Sequence, residues 1–124
     1  MTEPTKIRAQ LLTSGANGVN GISGAPMSVP NNLAQSAIVR ILMNHDMETG
    51  LRLDPGGKTI PAWFIQTVVI RHLEKTVMTL HCGPAVSKNP FFQFTLRNVR
   101  AGDKVSVHWT DSRGETRSDE ASVA

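Results

Sequence analysis

Residue types that bind metals are present in this sequence, which has four histidines, one cysteine and ten carboxylates. His81 and Cys82 are neighbours on a predicted strand, so their side chains point to opposite faces of a sheet. No histidine or methionine follows Cys82 closely enough to complete a His₂Cys copper site on one loop. His45, Asp46 and Glu48 could supply three ligands from one loop, but a solvated polar loop explains them without a metal. We therefore expect neither a metal nor another cofactor.

Cys82 is the only thiol that could act as a nucleophile. A reactive thiol needs exposure to solvent and a nearby positive charge or base that lowers its pKa. Cys82 instead shares the alternation of Met78 and Leu80, which predicts a mostly buried and inert side chain. If the strand ends at Leu80, however, Cys82 begins a turn with Gly83 and Pro84, and the thiol becomes reachable. A covalent role for Cys82 is therefore kept as a second hypothesis.

The loop that carries His45 and Glu48 directly follows an apolar strand predicted at Ser36–Met43. About 17 residues precede the next strand, more than a simple connection needs, and ordered connections of that length tend to carry function. Within the loop, Asp54-Pro55-Gly56-Gly57 predicts a type II-like turn, in which proline fixes φ and Gly56 accepts a positive φ. We expect this turn to close a small hairpin.

Alternation of apolar and polar residues predicts short strands and no convincing amphipathic helix. The pattern favours an all-β fold, an immunoglobulin-like antiparallel β-sandwich of about seven strands. We predict strands at Lys6–Leu12, Ser36–Met43, Phe64–Leu73, Thr76–Cys82, Phe92–Arg97, Val105–Thr110 and Glu115–Val123. The third is apolar on both faces in its middle, so we expect it to be central in its sheet.

The chain of 124 residues is predicted to form a single domain, residues 1–124. Inward-facing residues of the alternating segments should fill its core. The predicted core residues are Phe92, Phe94, Val105, Val107 and Trp109. Residues 13–32 are rich in glycine, proline, asparagine and serine, and they predict a flexible glycine-rich surface insertion.

The 13 basic and 10 acidic residues give a net charge of +3, but they are interspersed and never form a run. Nucleic-acid binding is not expected, because the phosphate backbone requires a clustered basic face. No apolar run approaches the ~20 residues of a membrane helix, so no membrane association is expected. The opening residues lack the basic-then-apolar order of a secretory signal, so we expect no signal peptide.

Two stretches of the sequence resemble a known family. The first is His45-Asp46-Met47-Glu48-Thr49-Gly50, followed by Arg52, Asp54, Gly57-Lys58 and Ile60-Pro61. The second combines Asn89-Pro90-Phe91 with the ending Trp109-Thr110-Asp111-Ser112-Arg113-Gly114-Glu115-Thr116. Both are similar to SoxZ, the half of the SoxYZ sulfur-oxidation carrier that does not hold the substrate cysteine. The resemblance covers Gln35 to Val123.

The resemblance implies a non-catalytic structural subunit of thiosulfate oxidation, in a heterodimer with SoxY and in transient contact with other Sox enzymes. In that family SoxY carries the sulfur intermediates on the cysteine of a flexible arm. SoxZ has no signal peptide of its own and reaches the periplasm by co-export with SoxY. No catalytic residue or cofactor is implied. The candidate partner-binding residues are His45, Met47, Glu48, Thr49, Gly50, Arg52, Asn89, Pro90 and Phe91.

Other interpretations of the same residues stay open at this point. Met47 and Phe91 could plug the end of the sandwich without touching a partner. Two alternative functions are a sulfur-transfer protein that uses Cys82 itself and a stand-alone immunoglobulin-like binding module. The first alternative places sulfur covalently on this chain, whereas the second requires no sulfur chemistry and binds an unrelated surface.

Overall fold

A computed structural model describes residues 2–12 and 35–124 of the chain. These residues form an immunoglobulin-like β-sandwich of seven antiparallel strands, which confirms the predicted fold class. The strands are β1 (Lys6–Leu11), β2 (Gln35–Leu42), β3 (Ile65–His72), β4 (Lys75–His81), β5 (Phe91–Val99), β6 (Lys104–Asp111) and β7 (Thr116–Ser122). The insertion predicted at residues 13–32 lies outside the described residues. Within those residues, no helix has the length and apolar character that a membrane crossing requires.

Two sheets make up the sandwich. One has the strand order β1-β2-β5 and the other the order β4-β3-β6-β7, so the prediction that β3 is central is confirmed. The chain end after β7 pairs with β1, since Leu11 N donates to Ala124 O at 2.9 Å and Ala124 N donates to Ala9 O at 2.9 Å. These bonds link the two sheets along one side. On the other side, β4 and β5 are the outermost strands of their sheets.

The core lies between the sheets and follows the predicted alternation. Trp109 is 1% exposed and Val105 and Val107 are fully buried, whereas Phe92 and Phe94 are half-buried against the core. Each fully buried side chain of this size contributes about 1.5–3 kcal/mol relative to leaving it in water. The core therefore holds the strand ends, and the loops they carry, in fixed positions.

Strand β5 extends beyond its predicted end at Arg97. Asn98 has a φ of 59°, and the register with β2 shifts at this point. The resulting bulge breaks the alternation of exposed and buried residues before Val99, which is 1% exposed. Strict alternation of apolar and polar residues ends at this bulge, so the strand predicted from alternation ended before Asn98.

The hairpin predicted around Asp54 is present, but its turn differs from the predicted type II. Gly57, at φ 85°, takes the positive φ that was assigned to Gly56. Gly57 N donates to Asp54 O at 2.9 Å, and Asp54 N donates to Lys58 O at 2.8 Å. Asp54 Oδ1 also accepts from the N–H groups of Gly56 and Lys58. This pattern fits a type I turn followed by a glycine bulge at Gly57, and the Asp54 side chain stabilises the turn through these two bonds.

Candidate functional site

The loop after β2 and the corner before β5 meet at one end of the sandwich. His45 O accepts a hydrogen bond from Asn89 N at 2.9 Å, and Asn89 Oδ1 accepts one from His45 N at 3.0 Å. Asn89 has a φ of 53°, in the left-handed region that asparagine tolerates better than most residues. Next to this contact, Met43 N donates to Pro90 O at 2.9 Å. The two stretches, far apart in sequence, therefore form one surface.

His45 is buried at the centre of this end, with only 6% of its surface exposed. Met47 N donates to His45 Nδ1 at 3.0 Å, so the ring hydrogen is on Nε2. His45 Nε2 then donates to Asp111 Oδ2 at 3.0 Å. Both ring nitrogens are occupied within the chain. The pair therefore positions the loop, and neither nitrogen is available to act as a base on a substrate.

Asp111 is the acceptor that joins this network to the β6–β7 hairpin. Its Oδ2 also accepts from Trp63 Nε1 at 2.7 Å, and its Oδ1 accepts from the backbone N–H groups of Arg113 and Glu115, each at 2.9 Å. Burial acts to raise the pKa of Asp111, but the hydrogen bonds from His45, Trp63 and the two backbone groups outweigh it, and the pKa is lowered. The carboxylate is thus held in its charged form.

Met47 lies beneath the loop. It has a φ of 52°, which is unusual for a residue with a long side chain, and it is 4% exposed. Its sulfur accepts from Ile65 N at 3.3 Å, within the hydrophobic core. The side chain therefore fills the core at this end of the sandwich and has almost no surface to offer a partner.

Glu48 and Arg52 form an ion pair on the surface of the same loop. Arg52 Nε donates to Glu48 Oε1 at 3.0 Å, and a second bond joins Arg52 Nη2 to Glu48 Oε2. The hydrogen bond from Arg52 lowers the pKa of Glu48, and the same bond raises the pKa of Arg52. The two side chains satisfy each other's hydrogen bonds within the chain. The Arg52 side chain is nevertheless 63% exposed, so its charge remains accessible at the surface.

A groove of about 650 Å³ runs between this loop and the connection from β4 to β5. Asp46, Glu48, Thr49 and Arg52 line one side, and residues 85–88 line the other. Lys88 adds a positive charge at the groove and contributes to the lowered pKa of Glu48. Charged side chains therefore line both sides of the groove, and Val86 contributes apolar surface between them.

Gly50 is required by the shape of the loop. Its φ is 89°, and a Cβ added there would lie 3.2 Å from the Cβ of Ala62. Thr49 Oγ1 accepts from Leu51 N at 3.0 Å, which tightens the same turn. A larger residue at position 50 would therefore meet both an unfavourable backbone conformation and a crowded neighbour.

The structure thus brings the candidate partner-binding residues together at one end, with one exception. His45, Met47 and Pro90 are buried, Glu48 and Gly50 are half-buried, and Thr49, Arg52 and Asn89 are exposed. Phe91 is 55% exposed, but it lies opposite Leu42 on the outer face of the β1-β2-β5 sheet, away from the groove. The partner-binding role of these residues stays a prediction, and for the buried ones it is limited to positioning.

Sequence reasoning did not identify Trp63 or Arg113 as part of this site. The guanidinium carbon of Arg113 lies 4.2 Å from the Trp63 ring centroid, and the ring centroids of His45 and Trp63 are 4.7 Å apart. Asp111 was named only as part of the family-like ending, but its Oδ2 accepts hydrogen bonds from His45 and Trp63 in this site. No spacing rule links these residues, because Trp63 lies in the β2–β3 connection whereas Asp111 and Arg113 belong to the β6–β7 hairpin.

Cys82 lies outside this site. It follows the last residue of β4 and continues the pairing, since Cys82 N donates to Gln66 O at 2.9 Å. Its side chain is half-buried against the core, and burial raises the pKa of the thiol. Over the described residues, no group of three or more His, Cys, Asp or Glu side chains is arranged to hold a metal ion.

Comparison with known proteins identifies the family. A family model described as "Sulphur oxidation protein SoxZ" matches residues 30–122, which include the loop, the corner and Asp111. A search of curated proteins found no match. Since the family model covers well over half of the 124 residues, this chain belongs to the SoxZ family of sulfur-oxidation proteins.

Proposed function

We propose that this chain is the non-catalytic structural subunit of a SoxYZ thiosulfate-oxidation carrier. In this proposal it binds SoxY and helps to present the sulfur intermediates on the SoxY cysteine to Sox enzymes. The observation that carries the proposal is the family match over residues 30–122. The geometry adds reasons to assign recognition, rather than bond-making, to this chain.

The first reason is the rigid surface at the loop end. The backbone bonds between His45 and Asn89 and the buried carboxylate of Asp111 fix this surface before any partner arrives. A surface that is already ordered loses less conformational entropy on binding than a flexible one. Its groove, with Glu48 and Arg52 at the rim, is our candidate contact for SoxY.

The second reason is that neither the Cys82 thiol nor the His45 ring is suited to act as a nucleophile or a base. A thiol with a raised pKa is mostly protonated near neutral pH, and the thiolate is the nucleophile. Cys82 has such a raised pKa and is half-buried. His45 has both ring nitrogens bonded within the chain. These observations support a partner-supplied cysteine as the sulfur carrier.

Co-expression with a SoxY-like subunit that has a C-terminal cysteine arm tests the proposal. The purified material would be incubated with thiosulfate and the remaining Sox enzymes, and the intact mass of both chains would be measured. We expect a stable heterodimer with sulfur adducts only on the SoxY-like chain. Sulfur on Cys82 would instead support the sulfur-transfer alternative, and failure to form a complex would support a stand-alone binding module.

We also propose a periplasmic location, reached by co-export with SoxY. Family membership supports this location, since the SoxZ resemblance implies export in complex with a signal-bearing partner. The test is fractionation of cells that express this chain with SoxY carrying or lacking its signal peptide. We expect the chain in the periplasm only when the signal is present. Export without SoxY would contradict the proposal.

A further inference from the structure

The outer face of the β1-β2-β5 sheet forms a surface separate from the groove. Alternate residues of these strands point into the core, so the register defines which side chains point outwards. Residues that lie opposite one another on neighbouring strands and point outwards form four rows, called the outward rows below. They are Lys6, Leu42 and Phe91; Arg8, Arg40 and Gln93; Gln10, Ile38 and Thr95; and Ser36 with Arg97.

This face is positively charged. The three strands contain four basic residues, Lys6, Arg8, Arg40 and Arg97, and no aspartate or glutamate. The segment 13–34, which connects β1 to β2, also contains no acidic residue. Among the ion pairs formed by residues 2–12 and 35–124, none includes any of the four cations. Folding therefore gathers charges that are scattered in the sequence onto one face.

Arg8 and Arg40 lie directly opposite each other on neighbouring strands. Like charges at directly opposite cross-strand positions are destabilising. Arg40 Nε donates to Gln93 Oε1 at 3.0 Å, a neutral acceptor that does not offset this repulsion. An anionic group placed over the two guanidinium groups would relieve it, so the face is suited to an acidic ligand.

Apolar side chains lie among these cations. Phe91 is 55% exposed, and the half-buried Leu42 lies beside it. A shallow cavity of about 260 Å³ is lined by Lys6, Ile7, Arg8, Arg40, Leu42 and Phe91. Apolar residues at the centre with charged residues around them are the usual anatomy of a protein–protein interface.

We propose that this basic face docks an acidic surface of a partner protein, with Phe91 packing against an apolar residue at its centre. The inference does not depend on the assignment of SoxY to the groove. Nucleic acid is disfavoured because Phe91 is the only aromatic residue in the outward rows, and stacking platforms use several. A lipid surface is disfavoured because Ile38 and Leu42 are half-buried, which leaves Phe91 as the one large exposed apolar side chain in the outward rows. Electrostatic docking of this kind gives fast, salt-sensitive association.

Fluorescence anisotropy with the full chain and a labelled 12-residue peptide of glutamate and leucine tests the proposal. We expect binding that weakens by about 10-fold when NaCl is raised from low salt to 0.2 M, since screening shortens the reach of exposed charges. Arg8→Gln with Arg40→Gln should weaken binding by a further factor of about 10. The same double variant should keep or raise the melting temperature, because it removes the cross-strand repulsion.

A matched control removes two positive charges from the other sheet. Arg71 and Lys75 are exposed on β3 and β4, and Arg71→Gln with Lys75→Gln should leave peptide affinity within about twofold. Phe91→Ala should weaken binding of the glutamate–leucine peptide more than binding of a peptide of glutamate alone. Equal losses in the two double variants would overturn the proposal. So would tighter binding of a 12-residue oligothymidylate or of phosphatidylglycerol vesicles than of the peptide.

Discussion

His45 Nε2 and Asp111 Oδ2 lie 3.0 Å apart, although 66 positions separate the two residues in the sequence. The bond joins the loop after β2 to the hairpin between β6 and β7. Because Asp111 also accepts from Trp63 and from two backbone N–H groups of that hairpin, one buried carboxylate joins both ends of the β2–β3 connection to the hairpin. The surface proposed to meet SoxY therefore depends on a residue that does not reach it.

Replacing this carboxylate by an amide should destabilise the fold. We expect Asp111→Asn to lower the free energy of unfolding by about 2–4 kcal/mol, because the amide nitrogen faces N–H donors and leaves them unpaired. Urea unfolding followed by circular dichroism measures the effect. Asp46→Asn is the matched control at an exposed position and should change stability by less than about 0.5 kcal/mol. Equal effects of the two variants would contradict a structural role for Asp111.

Stability should fall in acid. Hydrogen bonds lower the pKa of Asp103, through His72, and of Asp119, through Arg117, and the pKa of Asp111 is lowered against the effect of burial. A carboxylate with a lowered pKa in the folded state binds fewer protons folded than unfolded. Its stabilisation is present above the unfolded pKa and is lost as pH falls through the folded pKa.

We therefore expect the melting temperature to decrease as pH is lowered from about 5 to about 2. Thermal unfolding at each pH measures this, and Asp111→Asn should show a smaller decrease because it has lost one of the three groups. A melting temperature that rises over this range would contradict the directions of the pKa shifts.

Much of this fold could be predicted from sequence because alternation is a local signal. It gave the ends of β2 and β3 to within one residue, since buried Val39, Ile41, Val68 and Ile70 mark the inner faces. The bulge at Asn98 was missed because one left-handed residue shifts the alternation without changing composition.

Only part of the site could be predicted, because its contacts join residues that are far apart in the sequence. The family motif located His45 and Asn89, but the contact between them depends on how two strand ends meet in space. Trp63 was missed because its indole N–H bonds a carboxylate 48 positions away, and no periodicity encodes that distance. The basic sheet face was missed because its four cations come from three strands and converge only in the folded register.

Met47→Ala separates packing from binding. Met47 is 4% exposed in the core, so we expect the variant to lose about 2–4 kcal/mol of stability through the cavity it leaves. Affinity for the SoxY-like subunit, measured well below the melting temperature, should be nearly unchanged. Phe91→Ala is the control at an exposed position and should cost much less stability. A large loss of SoxY affinity in a folded Met47→Ala protein would mean that the side chain reaches the partner.

The Glu48–Arg52 ion pair allows a sharper test of the groove. A single reversal, Glu48→Arg or Arg52→Glu, breaks the intrachain pair, so it would alter both the loop and the charges a partner meets. The double variant Glu48→Arg with Arg52→Glu restores an intrachain pair with its charges exchanged. We expect its melting temperature to fall only slightly, because the exposed pair is restored but an arginine at position 48 lies near Lys88. We expect its affinity for SoxY to fall by about 10-fold, because the partner then meets inverted charges at the groove rim. Calorimetric titration with the SoxY-like subunit measures this, and full recovery of affinity in the double variant would show that the pair acts only within this chain.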